Sequence, residues 1–127
     1  MKTWCRINWS WCWCFLVSWV VSSGEQFILG YITGSERQEN DLTYQRPGRV
    51  ISGAISMAVE EVNEKLLGPM NHSLSFEVAE TYGKEEISIK QVAALWASNV
   101  SAFIGPQETC VHEGRMAAAF NLPMISY

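Results

Sequence analysis

Near the carboxyl end of the chain, in "FIGPQETCVHEGRMAAAFNLPMISY", a thiol, an imidazole and a carboxylate crowd together at Cys110, His112 and Glu113. These are the side-chain types that bind zinc, and a Cys–His pair can form an activated nucleophile. The spacing argues against a metal. On a helix, residues two apart point about 200° from each other, whereas zinc-binding helices use i and i+4. His112-Glu113 is followed by Gly114-Arg115-Met116 rather than by a second histidine, and the only other histidine, His72, lies in a distant loop. No metal site is expected. A hydrolase built on Cys110 requires a spatial neighbour that spacing alone does not supply, so it stands as an alternative. The plainer expectation is that His112 and Glu113 are solvated on a helix, and that Cys110 is held in a disulfide.

Other chemical patterns are weaker. Gly30 and Gly34 are followed by a long polar loop rather than by a helix, so they do not form a dinucleotide fingerprint. Glu60-Glu61 and Glu85-Glu86 fall on predicted helices and read as solvated charge. No cofactor and no catalytic residue is expected in this chain. The formal net charge is −4 with no basic run, which argues against nucleic acid and against anionic membrane surfaces.

The amino-terminal segment follows different rules. Five of the six tryptophans and three of the four cysteines fall in residues 1–19. Lys2 and Arg6 open it, a mostly apolar run spans Ile7 to Val21, and Ser22, Ser23 and Gly24 follow. That is the layout of a secretory signal peptide over residues 1–24. A membrane anchor is the rival, but about 15 residues fall short of the roughly 20 needed to cross a bilayer. Cleavage after Ser23 or Gly24 discards Cys5, Cys12 and Cys14, leaving Cys110 alone with a disulfide partner outside the chain. Two sequons, Asn71-His72-Ser73 and Asn99-Val100-Ser101, fit export and predict glycosylation at Asn71 and Asn99.

Chemistry has to be positioned by elements, and residues 25–127 alternate between two periodicities. Phe27 to Gly34 reads as a strand buried on both faces. Val50, Ile51, Ile55, Val59, Val62 and Leu66 then recur at helical steps, predicting a helix over 49–67 stopped by Gly68-Pro69. Leu74 to Gly83 alternates as a strand. Glu85 to Asn99 reads as a second helix with Ile89, Val92, Leu95 and Trp96 on one side. "VSAFIG" is a third strand, Thr109 to Phe120 a third helix, and "LPMISY" a fourth strand. The order predicts an α/β, Rossmann-like parallel sheet with helices on both faces. A sheet that stops at its fourth strand leaves apolar edge surface, so the chain is expected to be part of a longer protein and to fold poorly alone.

In such sheets ligands sit beyond the carboxyl ends of the strands. The candidate ligand-binding residues are therefore Thr33, Gly34, Tyr82, Gly105, Pro106, Glu108 and Thr109. Glu108 and Thr109 can cap the following helix themselves, which weakens the case for an anionic ligand there.

At this point the chain resembles a known family. "FILGYITG", "GAISMAVEEVNEKLL", "FIGPQETC" and "AAAFNLPMISY" are similar to the type I periplasmic-binding-protein fold of receptor ectodomains. The nearest resemblance is to the ligand-binding region of receptor-type guanylyl cyclases, in particular the insect form related to the natriuretic peptide receptors. It covers residues 26–127. It implies the first half of lobe one of a two-lobed Venus-flytrap, on the extracellular side of a single-pass plasma-membrane receptor that makes cyclic GMP. It also implies an extracellular ligand, a peptide among the classes allowed, and a homodimer of the full receptor. None of the cyclase's catalytic residues maps onto this chain. In amino-acid-sensing relatives a Ser or Thr directly follows the Gly-Pro turn. Thr109 is offset from it by Gln107 and Glu108, which argues against an amino-acid ligand. In the natriuretic relatives a cysteine near the same turn joins a disulfide, and Cys110 matches that half of the pattern. The alternative is the sensor domain of a family C G-protein-coupled receptor or a soluble binding protein.

Overall fold

In the computed structural model, residues 23–36, 38–39, 41, 48–106 and 110–127 are described, with 49–51 described in backbone only. The expected signal segment lies outside the described residues. Four strands, β1 (Gln26–Thr33), β2 (Ser73–Glu80), β3 (Ala102–Ile104) and β4 (Met124–Ile125), form one parallel sheet in the order β2-β1-β3-β4. The intervening helices are α1 (Gly48–Val62), α2 (Glu85–Ala97) and α3 (Val111–Ala119). This is the predicted alternation, and it makes an α/β Rossmann-like half-sheet.

Strand parity sets the two faces. A Cβ on Gly30 would meet Leu95 of α2 and Phe103, and Ile32 joins the same cluster, so alternate residues of β1 face α2. Thr33, one step on, instead lies against Gly48 at the start of α1. The buried core is on the α2/α3 side, where Ile32, Ala79, Val92, Leu95, Val100, Phe103 and Ala117 close together. Parallel strands joined by right-handed crossovers explain the split: β1 to β2 runs one way along the sheet, and the next two connections run the other. On the α1 face Tyr31 packs edge-on to Phe76 at 6.5 Å, and Met57 of α1 is exposed. Val78 of β2 and Ile125 of β4, on the two outer strands, are exposed as well.

The first helix does not stop at Gly68-Pro69. It widens into a π turn over Asn63–Leu67, then tightens into a 3-10 turn over Gly68–Met70 with Pro69 near its start, where a missing N–H costs nothing. Asn63 faces the start of β2 like a short strand, its Nδ2 donating to Leu74 O at 2.8 Å and its Oδ1 accepting from Leu74 N at 2.6 Å. The stop itself is Asn71, in the left-handed region at φ 60°. Asn99 and Asn121, at φ 65° and 56°, end α2 and α3 the same way. In each, the asparagine N–H bonds the carbonyl three residues back and the next N–H reaches five back, as in Val100 N to Leu95 O at 3.3 Å. Asparagine tolerates that conformation almost as glycine does, and the doubled bond satisfies the last helical carbonyls.

Candidate functional site

The carboxyl ends of β1, β2 and β3 make one edge of the sheet. β1 and β2 are tied there by Thr81, whose N–H and Oγ1 both donate to Thr33 O, at 2.9 and 3.3 Å. Thr81 Oγ1 in turn accepts from Gly83 N at 3.2 Å. The Glu80 carboxylate gathers the two loops that follow, accepting from Ser35 N at 3.0 Å, from Ser35 Oγ and from Tyr82 N at 2.7 Å. Pulled back in this way, Tyr82 takes a φ of 53°. Three donors on one partly buried carboxylate fix the edge in place, since charge-assisted hydrogen bonds are the stronger kind.

The third loop begins at Gly105, which has φ 92° and a cis bond to Pro106. A Cβ there would sit 2.0 Å from Ile32 O, so only glycine lets β3 leave the sheet this close to β1. Close approach also fixes Gly48: a Cβ on it would lie 2.0 Å from Thr33 Oγ1.

The predicted site residues separate on inspection. Thr33 is buried beneath the start of α1, and its hydroxyl has no hydrogen-bond partner among the described residues. Gly34 and Tyr82 are half-buried on neighbouring loops, and Gly105 and Pro106 are buried. Glu108 and Thr109 lie outside the described residues. Ser35 and Glu80 complete the edge. Glu80 was missed because its strand alternation marks it only as a polar residue, and its role depends on a loop 45 positions away.

Cys110, half-buried at the start of α3, is a free thiol and the only cysteine among the described residues. His112 is exposed, as expected, and its Nδ1 contacts the Glu85 carboxylate. Glu113 is not solvated. It is 1% exposed, and neither carboxylate oxygen meets a hydrogen-bond donor among the described residues. Ser88, on the facing helix α2, is likewise buried, and its hydroxyl has no hydrogen-bond partner among the described residues. The correction follows from packing: α3 lies alongside α2, so the face that carries Glu113 and Ala117 turns inward.

No group of three or more His, Cys, Asp or Glu side chains among the described residues could hold a metal. No described helix is long and apolar enough to cross a membrane.

Glu113 yields a testable result. A buried carboxylate without a partner costs more than an apolar side chain of equal length, offset only in part by the favourable helix N-terminus. Glu113→Met is expected to raise stability by about 1–3 kcal/mol, read as a higher urea midpoint at unchanged slope. A lower midpoint would mean that the carboxylate supports the first turn of α3.

Comparison with known proteins places this geometry. Residues 50–127 match the family described as "Receptor family ligand binding region". The chain is 27% identical over 99 residues, 78% of its length, to the Resact receptor of Arbacia punctulata. It is 32% identical over 82 residues, 65% of its length, to the Receptor-type guanylate cyclase Gyc76C of Drosophila melanogaster. To the Speract receptor of Strongylocentrotus purpuratus it is 27% identical over 112 residues, 88% of its length. It spans only 10%, 5% and 8% of those three relatives.

Proposed function

Since the chain belongs to the receptor family ligand binding region family, we propose that it serves as the extracellular ligand-sensing region of a single-pass membrane receptor guanylyl cyclase. The observation that carries this reading is the family match over residues 50–127, which takes in β2, β3, β4 and the helices between them. The carboxyl-end edge of the sheet fits a sensing role: Glu80 and Gly105 hold its loops in fixed positions. A ligand seated against it draws a second lobe down or shifts one receptor copy against another, and the change in population of the two states sets cyclic GMP output. A peptide is the ligand class we favour, because Gln107 stands directly after Gly105-Pro106, where a small hydroxyl would grip an amino-acid carboxylate. Residues 1–24 act as the export signal, Cys110 pairs with a cysteine beyond this chain, and the receptor works as a homodimer.

The reading is tested with the complete coding frame in cultured cells. An epitope inserted at the exposed Pro69-Met70 turn is expected to be removed by trypsin added outside intact cells. Cyclic GMP in those cells is expected to exceed that of mock-transfected ones. An epitope protected until the cells are broken, or a frame encoding seven spans and no cyclase, would overturn the proposal.

A further inference from the structure

Asn71, Asn99 and Asn121 each end a helix just before β2, β3 and β4 in turn. In a parallel sheet this places all three at the strand amino ends, the edge opposite Thr33, Tyr82 and Gly105. Two of the three head an Asn-x-Ser sequon, and their surroundings differ. Asn71 lies against the chain entering β1: a Cβ on Gly24 would fall 1.9 Å from its carbonyl oxygen, and the next residue's ring accepts Glu25 N at 3.0 Å. Asn99 is exposed on a turn fixed on both sides. Its N–H bonds Trp96 O at 2.9 Å, Val100 is buried, and Ser101 N bonds Ile28 O at 2.7 Å.

Trp96, one turn before Asn99, is 50% exposed. One face of its indole stacks on Phe120, with centroids 4.5 Å apart and planes within 11°. The ring is therefore held on one side by Phe120 while half of the residue faces solvent. An aromatic face is apolar and electron-rich, and suits the C–H face of a hexosamine ring. The residue three positions before Asn71 is Gly68, which offers no such platform.

We propose that Asn99 carries an N-linked glycan whose first sugar packs on the open face of Trp96. In the attachment step the Asn99 amide nitrogen bonds to C1 of a saccharide carried on a polyprenyl diphosphate. The C1–O bond breaks, its electron pair leaves with the diphosphate, and the amide releases one proton. The sugar covers an apolar ring that would otherwise face water, and it holds carbohydrate away from the ligand edge. The proposal rests on the export reading above.

The test expresses the whole protein in cells competent for N-glycosylation and sequences its amino terminus. The comparison variant is Ser101→Ala, which removes the sequon while leaving Asn99 in its left-handed turn and Trp96 in place. Peptide mass mapping is expected to find a glycan on Asn99 in the parent and none in the variant. Hydroxyl-radical footprinting is expected to oxidise Trp96 at least about twofold more slowly in the glycosylated parent, because the sugar covers the face that Phe120 leaves open. An exported chain with bare Asn99 overturns the glycan but not the export reading. Equal oxidation overturns the packing. A chain that retains residues 1–24 inside the cell overturns both the export reading and the glycan.

Discussion

Gly105→Ala is expected to abolish the folded state of this chain, or nearly so. The alanine methyl would sit 2.0 Å from Ile32 O, and the backbone at φ 92° is one that residues with a Cβ rarely adopt. The strained conformation costs about 1–3 kcal/mol and the displaced backbone a similar amount. Together these approach the whole stability of a small domain, about 5 kcal/mol at the lower end. Relaxation is blocked on both sides, because Gly105 N is bonded to Ile125 O at 2.8 Å and Ile32 is in the core. Yield of folded protein and the urea midpoint are the measurements. Gly53→Ala is the control: nothing lies within 4 Å of a Cβ there, on an exposed position of α1. That substitution is expected to gain about 0.5–1 kcal/mol, as glycine-to-alanine changes in open helices do. Equal behaviour of the two variants would rule out the clash.

Phe103→Ala is the second large effect, at about 3–5 kcal/mol. Phe103 is the largest fully buried side chain among the described residues, on a strand paired with β1 on one side and β4 on the other. Gly30 carries no side chain, and a Cβ there would come within 3.0 Å of the Phe103 ring. Truncation leaves a cavity at the centre of the cluster formed by Ile32, Val92, Leu95 and Val100, and backbones tied into a sheet have little room to collapse into it. Phe103→Leu, which keeps most of the volume, is expected to cost less than half as much. The contrast is Trp96→Ala. Trp96 is a larger residue, but half of it already faces solvent, so its removal from the unglycosylated protein is expected to cost about 1–2 kcal/mol. A Phe103→Ala variant with a near-parent midpoint would show that the α2/α3 face does not hold the sheet together.

These two positions belong to the carboxyl-end edge of the sheet as much as to the core. β3 carries Phe103 inward and then delivers Gly105 to the loop before α3, so the packing that stabilises the strand also sets where the loop leaves. Lesions at Gly105 are therefore expected to lower the yield of folded protein before they alter the loop in a folded one, and the urea midpoint separates the two.

Local sequence determined the order of elements. Alternation in "LSFEVAE", three- and four-residue apolar steps in "AISMAVEEV" and glycine at loop starts are properties of neighbouring residues, and strand and helix periods are local. The element order then leaves parallel pairing with right-handed crossovers as the ready solution. Family resemblance was legible for a related reason, since "FIGPQETC" and "AAAFNLPMISY" carry a strand, a turn and a helix in one continuous run.

What the tertiary structure decided concerns residues whose neighbours are far away in the chain. Glu113 reads as a surface acid on a helix and is buried, because α3 presents that side to α2, about one helix and one strand earlier in the sequence. Thr33 reads as a loop hydroxyl open to ligand and lies under Gly48. Glu80 reads as a polar strand residue and is the clamp that joins the loops after β1 and β2. The helix stop moved from Gly68-Pro69 to Asn71 because Pro69 fits a tightened turn, while only a left-handed residue ends it. In each case side-chain periodicity gives the face of an element but not what packs against it. Burial and hydrogen-bond partnership are set by contacts between elements, and the energy of a polar group depends on those contacts rather than on its own type.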